Sequence, residues 1–218
     1  MRTEDLIGQL SEGLRPVRRM PSPWWQAAGW LALAAAVIGL VVAATGLRPD
    51  LQARMTYPYE AGQWLASVAV GGLGALAASM LAQPDRSWRW VLLPLPALLV
   101  WLMALGLGTL TDLARQGPGA LHLHESWGCV RFILALGLPL AMVQLWVLRH
   151  AGPTRPVPVQ VTGALASAAL CSAGLSLIHH LNLALMILLW HGLAFGLVAL
   201  LAWIFGRRLL LRPVEVPR

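Results

Sequence analysis

Lysine is absent from the chain, and only 11% of its 218 residues are charged. So little charge against 58% apolar residues excludes a soluble domain built around one aqueous core. A mean hydropathy of +0.67 points instead to a lipid bilayer as the cover for that surface. No charged residue falls near the middle of an apolar run, so the usual markers of a proton or ion pathway are missing, and a small transporter is disfavoured. Also missing are a nucleophile beside its base, paired carboxylates, a phosphate loop, a zinc-protease motif and a Cys-x-x-Cys pair. Catalysis is therefore not expected. The stretch before the first apolar run is polar and no small-residue cleavage site follows a short apolar core, so no cleavable signal peptide is expected.

What the chain does have is arginine. All sixteen cations are arginines, giving a net charge of +7, but they are scattered between apolar runs instead of gathered on one surface. That distribution argues against direct binding of nucleic acid and for a record of membrane orientation.

Six apolar runs are long enough to cross a hydrocarbon core, which takes roughly 20 helical residues. They are Trp24 to Leu47, Trp64 to Leu81, Trp88 to Leu110, Cys129 to Leu148, Val159 to Ile178 and Leu183 to Phe205. None alternates with period two, so the expected fold class is all-α, a polytopic bundle of six transmembrane helices. Trp24, Trp25, Trp64, Trp88 and Trp90 mark span edges, where the indole prefers the headgroup layer. Pro94, Pro96 and Pro139 fall inside runs and predict kinks or close packing. Gly71, Gly72 and Gly74, and the spacing Gly192 to Gly196, suit close helix contacts, although glycine is also simply common in spans.

Arginine counting sets the direction. With the amino end in the cytoplasm, twelve arginines lie inside and only Arg48, Arg54, Arg115 and Arg131 lie outside. Both ends are then cytoplasmic. The chain divides into a segment 1–23, a six-helix transmembrane domain 24–206 and a basic cytoplasmic tail 207–218.

In the amino segment, Thr3 can cap a short helix with Glu4 and Asp5 in its first turn, and Leu6, Ile7, Leu10 and Leu14 recur at spacings of three or four. This amphipathic helix is too short to stand alone, so either the membrane surface or a partner's groove must cover its stripe. Arg15, Arg18 and Arg19 follow directly and, on physics alone, favour anionic headgroups.

An ordered set of segments runs along nearly the whole chain: the leading Thr-Glu-Asp-Leu-Ile helix, Pro16-Val17-Arg18, Gly46-Leu47-Arg48-Pro49-Asp50, Leu93-Pro94-Leu95-Pro96, Ser126 to Phe132 and Trp190-His191. This set resembles the NrsF family of six-span membrane anti-sigma factors. The resemblance implies a multi-pass protein of the bacterial inner membrane that sequesters an extracytoplasmic-function sigma factor and releases it on envelope stress, by metals in studied cases. It also implies that Leu6, Ile7, Leu10 and Leu14 form the sigma-factor-binding surface. Arg86, Arg89, Arg149 and Arg155 in the inner loops are expected either to contribute or only to set topology.

The orientation gathers soft ligands at the outer side. Five of six histidines, His122, His124, His179, His180 and His191, fall there, as do Cys129 and Cys171. Helical rise puts Cys171 and His191 each about 12 Å below the outer edge on antiparallel neighbours, so they could face one another, with Met186 as a further soft donor. His179, His180 and His191 are candidate ligands for copper or zinc, and Cys129 and Cys171 candidate sensor thiols. A plain alternative is a hydrogen-bonded His191 and a Cys171 packed as a small apolar residue. A Cys129–Cys171 disulfide is the rival chemistry: it needs alpha carbons within roughly 7 Å, less than the estimated difference in depth, though a shift of the span boundaries would close much of that gap. Asp112 and Arg131 either pair or are solvated. The rival function is a membrane redox protein using this outer Cys/His cluster.

Overall fold

The structure, a computed structural model, describes residues 3–12, 21–121, 125–151, 153–179 and 183–210. Among these the helices are α1 (Thr3–Glu12), α2 (Pro23–Thr45), α3 (Leu51–Met55), α4 (Pro58–Leu81), α5 (Leu95–Gln116), α6 (Trp127–Leu148), α7 (Pro156–Ile178) and α8 (Ala184–Leu210). Short 3-10 turns occupy Trp88–Leu92, Gly117–Leu121 and Arg149–Ala151, and the described residues contain no strand. Six helices, α2 and α4 to α8, are long and apolar enough to cross a membrane.

Local chemistry explains where each span begins and ends. Pro23, Pro58 and Pro156 start α2, α4 and α7, where a missing amide hydrogen has no partner to lose. Gly46 and Gly117 end α2 and α5 at φ of +82° and +63°, a conformation that side chains with a Cβ resist. Pro94 and Pro96 do not kink the third span as expected. They stand at its entrance, since Trp88–Leu92 is a 3-10 turn and α5 begins only at Leu95. Pro139 does lie inside its helix, α6. α8 runs through Arg208 to Leu210, so the basic tail starts within a helix.

The bundle is arranged around α4 and α7. In each, 67% of the apolar window is buried, against 22–39% in the other four spans. Their contacts run in opposite directions along the two helices: Trp64 meets Ala173, Ser67 meets Ala169, and Gly74 meets Thr162 and Ala166. They are therefore antiparallel at close range. A Cβ on Gly74 would stand 3.1 Å from the Thr162 carbonyl oxygen, and one on Gly71 would collide with Leu170. Gly72, Gly192 and Gly196 face open space, so the close contacts expected there are not made.

Inside hydrocarbon the helices gain little from hiding apolar surface, so packing and interhelical hydrogen bonds must hold them together. Trp30 Nε1 donates to the Leu140 carbonyl at 2.9 Å, Trp64 Nε1 to Ala173 at 3.1 Å and Ser67 Oγ to Ala169 at 2.8 Å. The outward faces of the outer helices are apolar. Leu40, Leu107 and Leu110 are more than 60% exposed, a surface that water would penalise and lipid tails accept.

Candidate functional site

Because the spans alternate, the α2–α4, α5–α6 and α7–α8 connections share one end of the bundle. That end carries most of the chemistry. Arg48 is buried, and its guanidinium grips the Asp50 carboxylate with two parallel bonds of 2.7 and 2.8 Å. The Arg48 backbone N–H donates to the Leu177 carbonyl at 2.9 Å, which ties this loop to the end of α7. Arg54 pairs with Glu60, in the first turn of α4. Asp112 does not pair with Arg131. Its Oδ2 accepts the Ala184 backbone N–H at 3.0 Å, supplying a partner to one of the orphan amides at the start of α8.

Arg48, Arg54 and Glu60 help line a small cavity of about 20 Å³, room for a single water. Its walls include Glu60, Gln63, His179 and His191. His191 is 1% exposed. Its Nδ1 is 2.6 Å from Ser172 Oγ, and its Nε2 has no hydrogen-bond partner among the described residues. His191 stands level with this part of α7, as expected of matched positions on the two helices, but the neighbour it meets is Ser172, one residue further along α7 than Cys171. One step rotates a helical side chain by about 100°, and that is enough to send Cys171 elsewhere. Cys171 Sγ packs at Gly137 of α6, where a Cβ would stand 3.7 Å from it.

Both cysteines are free and wholly buried. Cys129 lies in the first turn of α6 and shares a 3.0 Å hydrogen bond with Ser126 Oγ. Gly137 is eight residues further along the same helix, so the two thiols are separated by about 12 Å of helical rise. A second, open groove at this end is lined by Glu125, Ser126, Gly128, Arg131, His179 and Met186. His179 thus borders both the groove and the cavity.

A metal centre needs several donors converging on one point. Among the described residues no three His, Cys, Asp or Glu side chains stand together at such spacing. His179 and His191 share the cavity wall, but the thiols lie apart from it. Of the remaining expected positions, His122, His124, His180 and Leu14 lie outside the described residues, as does the side chain of Leu10.

At the other extreme of the sequence, α1 begins at Thr3 with Glu4 and Asp5 in its first turn. Leu6 and Ile7 are 41% and 60% exposed, so they present apolar surface outward.

Sequence reading missed Ser172, Gln63 and the Arg48–Asp50 and Arg54–Glu60 pairs. A signal was available for Gln63, because it lies three residues after Glu60 at the mouth of a span, one turn along a shared face. Three of the segments that carried the family resemblance, Gly46 to Asp50, Ser126 to Phe132 and Trp190-His191, reach this end of the bundle. The Trp127 and Trp190 rings meet edge to face at 5.1 Å, and Arg48 and His191 line one cavity.

No curated protein and no solved structure matches the chain. A family profile does, described as NrsF, negative regulator of sigma F, over residues 10–211. Six spans and a match along nearly their whole length place the chain in the NrsF family, the negative regulators of a sigma factor.

Proposed function

We propose that the chain is a membrane anti-sigma factor, anchored in a bacterial inner membrane with both ends in the cytoplasm. It holds an extracytoplasmic-function sigma factor through α1 and the residues that follow it. The observation that carries this reading is the outward apolar surface of Leu6 and Ile7 on a helix too short to be stable by itself. A partner's groove would cover that surface and supply the missing stability. Tethered at the bilayer, the sigma factor cannot present its surfaces to core polymerase and promoter DNA.

Release is assigned to the opposite end of the bundle, with Cys129 and Cys171 as the sensor thiols. Each thiol is enclosed among helices, so an adduct on sulfur, from a soft metal ion or an oxidant, has no room without moving α6. A signal of this kind can shift the equilibrium only if it favours the released arrangement over the holding one. The thiols are preferred to a copper or zinc centre that uses His191, because its Nδ1 is already engaged by Ser172 Oγ at 2.6 Å.

The test is co-purification from membranes of the sigma factor encoded beside this gene, using the full chain and a version lacking residues 1–23. The reading expects capture by the first and loss with the second. Equal recovery from both would remove α1 from the interface.

A further inference from the structure

At the end of the bundle away from Cys129 and His179, α6 finishes in an aromatic and cationic corner. The Arg149 guanidinium lies 5.3 Å above the Trp146 ring, and the His150 ring meets the same indole edge to face at 5.8 Å. Below the corner, Val143 and Val147 are 40% and 37% exposed, and Trp146 is 52% exposed. Positions 143, 146, 147 and 150 recur at helical spacing, so one outward face runs from hydrocarbon depth to the cation at its end.

The surroundings add positive charge. Gly206 abuts Leu145, so α8 runs beside α6 and brings the exposed Arg208 near the level of Arg149. Arg155 is exposed just before α7, and Arg86 and Arg89 lie in the α4–α5 connection. Among the described residues that join the spans at this end, Asp85 is the one acid, and it is already beside Arg86 at 3.8 Å.

We propose that this corner of α6 is a binding site for one anionic phospholipid, its phosphate held by Arg149 and its acyl chains laid along Val143 and Val147. Three features of the surface fit an amphiphile better than a soluble acidic protein. The apolar face is continuous with the cation, the half-exposed indole lies between the two, and the neighbouring connections carry Arg86, Arg89 and Arg155 against one acid. Charge complementarity selects an anionic headgroup over a zwitterionic one.

The experiment uses the full chain in a neutral detergent, with phosphatidylglycerol or phosphatidylcholine added and retained lipid counted by native mass spectrometry. Phosphatidylglycerol is expected to be retained more strongly, and Arg149→Gln to weaken its retention about fivefold. Arg131→Gln, at the opposite end of the same helix, is expected to leave retention unchanged. Arg149→Lys preserves the charge with little disturbance of folding, and is expected to keep phosphatidylglycerol within about twofold. Equal retention of the two lipids by the unaltered chain would overturn the proposal, as would equal losses in Arg149→Gln and Arg131→Gln. So would an Arg149→Gln chain that keeps its lipid but captures less sigma factor in lipid-free detergent, because the corner would then belong to the protein partner.

Discussion

Ser172 Oγ and His191 Nδ1 stand 2.6 Å apart and join α7 to α8 inside the bundle. The bond satisfies one imidazole nitrogen of a fully buried side chain, while Nε2 has no partner among the described residues. Ser172→Ala is expected to cost about 1–3 kcal/mol, since it strands a second buried nitrogen. Ser172→Ala with His191→Phe should recover part of that loss, because no polar group is then left unpaired. Unfolding in a denaturing detergent, followed by tryptophan fluorescence, measures the cycle. Strict additivity would mean that the two side chains are not coupled.

Close approach of α4 and α7 rests on glycines that the helix-facing geometry singles out. Gly71→Leu and Gly74→Val are each expected to destabilise the bundle by about 1–3 kcal/mol or more, through overpacking against Leu170 and the Thr162 carbonyl. Gly192→Ala and Gly196→Ala, which meet open space, should lie within about 0.5 kcal/mol of the parent. Thermal stability in detergent distinguishes the two pairs. A large loss at Gly192 would show that this face is packed after all.

The cysteines should behave as two separate buried thiols. In intact membranes neither Cys129 nor Cys171 is expected to react with a bulky maleimide, and both should react after denaturation. A mild oxidant should produce no intramolecular disulfide in the folded chain, because the thiols lie about 12 Å apart along α6 and a bridge needs alpha carbons within roughly 7 Å. Mobility of the non-reduced chain on a gel reads the outcome directly.

How much of this was legible beforehand follows from what each feature depends on. The spans depend on composition over some 20 residues, a signal no neighbour can cancel, and all six emerged, although α4 starts at Pro58 ahead of its run and α5 is shifted from Trp88–Leu110 to Leu95–Gln116. Depth along a helix depends only on rise per residue, so His191 was matched to the right part of α7. Rotation about the helix axis depends on which neighbours pack where, and no hydropathy pattern distinguishes Ser172 from Cys171 in a helix buried nearly all round. For the same reason Gly71 could not be told from Gly72, nor the packed glycines of α4 from the lipid-facing pair in α8. Pro94 and Pro96 show a different limit: the apolar run continues across them while the regular helix does not.

Arg48 ties the loop after α2 to α7 through its backbone N–H, and its side chain braces the loop itself by gripping Asp50. Arg48→Gln is expected to destabilise by about 1–3 kcal/mol, because Asp50 loses its bidentate partner. Asp50→Asn should cost less than Arg48→Gln, since the Asp50 carboxylate is partly exposed and water can compensate, whereas the arginine is buried. Detergent stability again decides, and the reverse order would contradict this account of the loop.

The central claim is that the outward apolar face of α1 holds the sigma factor. Its most direct measurement is the affinity of the full chain in nanodiscs for the purified sigma factor, with Leu6→Glu and Ile7→Glu compared against the parent. Burying a glutamate in an apolar groove is costly, so each substitution is expected to weaken binding tenfold or more while leaving the melting of the membrane bundle unchanged, at roughly 1.4 kcal/mol per tenfold. Parent-like affinity in both variants would contradict the claim.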